Sequence, residues 1–175
     1  MLDKEILDEF KNETNQLMTE LTEVVEKLEI KTDSFPTELL QEFSQKIDRV
    51  MGTAKTLMMM DEGNADLQRV ADIADLCKRL GYKAAESQSN MLIPLFAGFW
   101  ADTIEVLGDL VNHLDDPEKS EALAKSFFSI LMGRLQWLST KVTGKGLPPS
   151  STKPALGEAT DQMDVDDLLK AFGLG

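Results

Sequence analysis

Apolar residues return every three or four positions along most of this chain. Between Phe35 and Met60 they are Leu39, Phe43, Ile47, Val50, Ala54 and Leu57, the spacing of a helix with one face turned to a core. The same period runs through Leu2, Ile6, Phe10, Leu17, Leu21, Val24 and Leu28, which predicts a helix over 2–29. Leu67, Val70, Ile73, Cys77 and Leu80 predict another over 64–86, and the pattern continues over 89–114 and 117–142. No strand-like alternation extends beyond a few residues. The expected fold is therefore all-α: about five amphipathic helices joined by short loops in an antiparallel bundle. Breaks fall where turn chemistry allows them. "KTDSFP" ends the first helix, with Asp33 or Ser34 placed to cap the second near Pro36. "DEGN" ends the second, Gly81 is expected to weaken the last turn of the third, and "DDPEKSE" opens the fifth with an acidic cap and a proline in its first turn.

After residue 142 the period stops. Residues 143–160, "TGKGLPPSSTKPALGEAT", hold Pro148, Pro149 and Pro154 and read as a flexible, partly extended linker. Order is expected again over 161–175, "DQMDVDDLLKAFGLG". There Asp161 can cap a short helix, and Asp164, Asp166 and Asp167 lie towards its positive end. Val165, Leu168, Leu169 and Phe172 fall at i, i+3, i+4 and i+7. So short a helix is marginal in water by itself, and one on a tether suits a partner's groove.

Composition narrows the choice of partners. A chain of 175 residues that is 42% hydrophobic supports one sizeable core. Its net charge of −13 repels phosphate backbones and anionic membrane surfaces, so neither nucleic acid nor a membrane is an expected partner. The apolar run from Met91 to Ala101 is broken by Pro94 and Gly98 and falls short of the roughly 18 residues that span a bilayer. The start, "MLDKEILDEF", lacks the basic-then-apolar order of a secretion signal. Cytoplasmic residence is the expectation. Cys77 lies among apolar positions and reads as a small core residue, and His113 in "VNHLDDP" reads as a helix-end residue. No phosphate-binding glycine loop or calcium-loop spacing occurs. The expectation is that this chain binds no metal or cofactor of its own.

One glycine stands out against this pattern. Gly52 sits inside the second helix, where glycine costs about 1 kcal/mol relative to alanine. At 100° per residue it joins Gln41, Gln45 and Asp48 in a solvent-facing row opposite the apolar stripe. The helices around it, "FKNETNQLMTELTEVVEKLE", "DLQRVADIADLCKRL" and "LFAGFWADTIEVLGDLVNHL", resemble those of the histidine phosphotransfer (HPt) domain of the chemotaxis kinase CheA, over about residues 2–142. That family's motif on the second helix is an exposed histidine, two residues, then lysine, glycine, a small residue and alanine. "DRVMGTA" keeps Gly52, Thr53 and Ala54 in register but has Asp48 for the histidine and Met51 for the lysine. The resemblance implies a docking surface around Gln41 and Gly52 for a response regulator. It also implies no phosphotransfer, since a carboxylate has no imidazole nitrogen to phosphorylate.

The tail resembles a second family. "DQMDVDDLLKAFGLG" is similar to the C-terminal peptide of the phosphatase CheZ, which docks on the response regulator CheY after a long linker, and to the CheY-binding peptide of the switch protein FliM. The resemblance implies that Asp161, Gln162, Asp164, Val165, Asp166, Asp167, Leu168, Leu169 and Phe172 bind a CheY-like regulator, with Mg2+ carried on that partner and a chemotaxis kinase as a further possible partner. The CheZ catalytic pair, an aspartate four residues before a glutamine, is absent from this chain. Aspartyl-phosphate hydrolysis needs an amide that orients water and an acidic group that engages the regulator's lysine. Gln45 and Asp48 offer both in reversed order. Two expectations follow: a CheZ-like phosphatase, or a non-catalytic pseudo-HPt protein that sequesters the regulator.

Overall fold

The computed structural model describes residues 2–30 and 32–143. All of the tail residues singled out above, Asp161 to Phe172, lie outside the described residues. Five α-helices follow one another, and no strand occurs among the described residues. They are α1 (Lys4–Glu29), α2 (Thr37–Met60), α3 (Ala65–Ser87), α4 (Ile93–Asn112) and α5 (Pro117–Thr143).

Local chemistry sets the ends of these helices. Asp3 caps α1, its carboxylate accepting from the Glu5 N–H at 2.8 Å. Asn64 caps α3 through Oδ1, which accepts from the Asp66 and Leu67 N–H groups at 3.1 and 3.0 Å. Asp116 Oδ1 accepts from the Lys119 N–H at 3.2 Å, as "DDPEKSE" predicts for α5. The cap expected on α2 is absent: neither Asp33 nor Ser34 serves, and Pro36 occupies the N-cap with no side-chain bond. The start of α4 also differs. A helix from Ser89 would require Pro94 to donate to the Asn90 carbonyl, and proline has no N–H. Gln88 instead ends α3 at φ 48°, Leu92 N–H donates to Ser89 O at 3.0 Å in a turn, and Pro94 takes the first turn of α4.

The chain divides into two compact units, Met1–Leu123 and Ala124–Gly175. In the first, α1 packs on α2 and α4, and α3 packs on the same two helices. Four apolar faces thus close around one core. Its largest members, Trp100, Phe43 and Phe96, are fully buried; the Phe43 and Trp100 rings stack with centroids 4.2 Å apart. Each such side chain contributes about 1.5–3 kcal/mol by leaving water. Of the anticipated stripe on α2, Phe43, Ile47, Val50, Ala54 and Leu57 are buried, but Leu40 takes the place given to Leu39. Polar ties add register. Asn90 Nδ2 donates to Asp33 O at 3.1 Å, joining the α3–α4 loop to the α1–α2 loop. Asn15 meets Asn112 and Lys11 meets Asp115, each at 2.8 Å, joining α1 to the end of α4. Asp66, a charged residue in the first turn of α3, is buried and pairs with Arg69; its Oδ1 accepts from Ser120 Oγ of α5 at 2.6 Å. A buried carboxylate requires such partners.

The second unit contains α5 from Ala124 onward. Phe127, Leu131, Met132, Leu135 and Leu138 are buried there, whereas Ile130 and Trp137 are exposed. No helix of the described residues is long and apolar enough to cross a membrane.

Candidate functional site

The row anticipated on α2 faces solvent along its whole length: Gln41, Gln45, Asp48 and Gly52 are all exposed. A Cβ built on Gly52 would meet no heavy atom within 4 Å. No described residue requires this glycine. Gly98 and Gly133 are open in the same sense, so what distinguishes Gly52 is the row it extends.

The close approach within the bundle is made at a different glycine. Gly81 is buried on α3, and a Cβ there would come to 3.1 Å from Ser44 Oγ and 3.8 Å from Phe43 Cδ1 of α2. The helix runs on past it to Ser87, close to the end expected near residue 86. Beside this contact lies a groove of about 500 Å³ between α2 and α3. Leu40, Ser44 and Gly81 line it, with Gln41 and Gln45 on the α2 side and Tyr82 on the α3 side. Tyr82, exposed to 55%, was not singled out from the sequence. A signal was available: it lies off the buried stripe of Cys77, Leu80 and Ala84, where an aromatic ring has no core to enter.

Charge is arranged at the margins of this face. Asp48 is joined to Lys78 of α3, and that carboxylate, with its hydrogen bond, raises the Lys78 ammonium above the ordinary lysine range. On the other side Lys46 holds Glu20 of α1 at 2.6 Å and Glu42 at 3.6 Å, while Arg49 pairs with Glu13 of α1. The hydrogen bond from Lys46 is the main cause that holds the Glu20 carboxyl below its ordinary value. Between these pairs the amides of Gln41 and Gln45 make no hydrogen bond to another described residue. The centre of the face is thus neutral, amide-rich and open.

The sole histidine is elsewhere. His113 is the C-cap of α4, with Nδ1 2.8 Å from Asp109 O. No cluster of three or more histidine, cysteine or acidic side chains suited to a metal ion occurs among the described residues. Cys77 is fully buried, and desolvation pushes its thiol far above the ordinary range, with Thr103 as a smaller opposing contact. The fold and this face define an all-α bundle with an open polar surface on its second helix. Comparison with protein-family models, curated proteins and solved structures returned no match.

Proposed function

We propose that this chain regulates two-component signalling by docking a CheY-like response regulator and promoting loss of its aspartyl phosphate. In this reading the helices form an antiparallel, HPt-like bundle without the phosphorylatable histidine, and segment 161–175 is the tether. The ring of pairings among α1, α2, α3 and α4, and the loop-to-loop tie from Asn90 to Asp33, support that arrangement. The observation that carries the reading is the α2 face itself: an open glycine, Gly52, in a row with an exposed amide, Gln45, whose hydrogen-bonding capacity is unspent within the described residues.

The chemistry asked of the chain is modest. Gln45 would orient a water in line with the phosphorus atom, in a site closed by the docked regulator, and Asp48 would engage the regulator's lysine. Asp48 must first leave Lys78. That exchange is inexpensive, because exposed ion pairs of this kind are worth about 0–1 kcal/mol. Mg2+ would be held by the regulator, with no ligand from this chain.

The Asp48–Lys78 pair also favours a second reading, in which the acidic group stays engaged and the protein only sequesters the regulator. Following the decay of a phosphorylated CheY-type regulator with and without the full chain, alongside calorimetric binding, tests both. Faster decay supports the phosphatase. Binding without acceleration supports sequestration, and no binding removes both.

A further inference from the structure

Charge is distributed unevenly along this acidic chain. From Ala122 to Gly157 there is no aspartate or glutamate, while Lys125, Arg134, Lys141, Lys145 and Lys153 give that stretch a charge of +5 against −13 for the whole chain. The structure turns part of this stretch into a surface. Ile130, Arg134, Trp137 and Lys141 of α5 follow one another at steps of four, three and four, which places them on one face. All four are exposed, and Lys141 Nζ stands 5.6 Å from the centroid of the Trp137 ring. The adjoining side of α5, about a quarter-turn round the helix, carries the buried Phe127, Leu131, Leu135 and Leu138. A helix that buries one side and presents isoleucine and tryptophan between cations beside it has an exposed face suited to an acidic, apolar segment.

Such a segment follows in the sequence. Residues 158–175 hold Glu158, Asp161, Asp164, Asp166 and Asp167 against Lys170, and they carry the Val165, Leu168, Leu169 and Phe172 stripe. We infer that segment 161–175 docks on the Ile130–Lys141 face of its own α5, its apolar stripe against Ile130 and Trp137 and its aspartates towards Arg134 and Lys141. The dimensions allow it. Residues 144–160, taken as a flexible chain, span about 23 Å root-mean-square. Ile130 to Lys141 covers about 17 Å of helix. Tethering at this range supplies an effective concentration on the order of millimolar, so a weak contact suffices. This inference deepens the proposed function and rests on it only for its consequence: docked on α5, the segment is withheld from the regulator until the regulator competes for the same apolar stripe.

The contact can be observed without any regulator. Because Cys77 is buried, Ala171→Cys provides a single accessible thiol for a nitroxide label on the full chain. In nuclear magnetic resonance spectra the label should weaken the signals of Ile130, Arg134 and the Trp137 indole several-fold relative to the reduced label. Arg134→Glu with Lys141→Glu, or added salt, should restore the intensities, since exposed charges are screened. Unchanged intensities would overturn the inference. So would weakening that appears only when labelled and unlabelled chains are mixed, which would assign the face to a second copy, or weakening unaffected by charge reversal. Adding the phosphorylated regulator separates the two claims: if the label contacts α5 and the regulator fails to displace it, the docking stands and the proposed function falls.

Discussion

Gly52 offers a measurable split between stability and function. The residue is exposed in the interior of α2, has no positive φ, and leaves open space where a Cβ would stand. Alanine there adds no clash and relieves the helix of glycine's conformational freedom. Gly52→Ala should therefore stabilise the fold by about 0.5–1 kcal/mol. For a chain of this size, 1 kcal/mol corresponds to about 2–4 °C in Tm. Gly52→Gln should give a similar gain, because glutamine is also a good helix former, while its longer side chain projects into the surface offered to the regulator. Thermal unfolding followed by circular dichroism reads the first effect, and calorimetric titration with the regulator reads the second. The expected pattern is two variants more stable than the parent, with affinity lowered about tenfold or more by Gly52→Gln, equivalent to about 1.4 kcal/mol. If Gly52→Gln is more stable and binds as the parent does, α2 is not the docking face. If Gly52→Ala gains nothing in Tm, the accounting of this glycine as an internal cost is wrong.

Other outcomes follow from the same structure. Gln45→Ala should slow the stimulated decay of the phosphorylated regulator by about 100-fold with binding retained; full activity in both Gln45→Ala and Asp48→Ala would move the catalytic surface elsewhere. Leu169→Ala or Phe172→Ala should weaken regulator binding about tenfold or more, and deleting 161–175 should lower affinity sharply with little change in Tm; unchanged affinity would leave docking to the bundle alone. The Cys77 thiol, raised by burial, should resist an aromatic disulfide reagent in the native protein and react on denaturation, so rapid native labelling would contradict its place in the core. Glu20 and Asp115 are lowered from 4.5 and 3.8, chiefly by hydrogen bonds from Lys46 and Lys11 respectively. Their contribution is thus present above those values and lost as pH falls through the lower folded ones. The urea midpoint should decline in that acid range, and less steeply in Lys46→Met with Lys11→Met; identical slopes would argue against these pairs.

Much of the architecture was legible in the residue pattern, because a 3.6-residue period reports directly which face of a helix leaves water. It located five helices, the stripe on α3 through Leu67, Val70, Ile73, Cys77 and Leu80, and the exposed row from Gln41 to Gly52. Short-range chemistry was legible too, as the acidic cap at Asp116 shows. The start of α4 was misplaced because one apolar run conceals the missing N–H of Pro94. What periodicity does not carry is the neighbour across the interface, which depends on how far each helix slides and turns against the next. Only tertiary packing paired Asp48 with Lys78, thirty positions away, and joined the buried Asp66 to Ser120. It also gave Gly81 a neighbour that the sequence did not indicate. Gly81 faces Ser44 across a tight α2–α3 contact, whereas Gly52 faces open solvent and leaves the outer surface of α2 available.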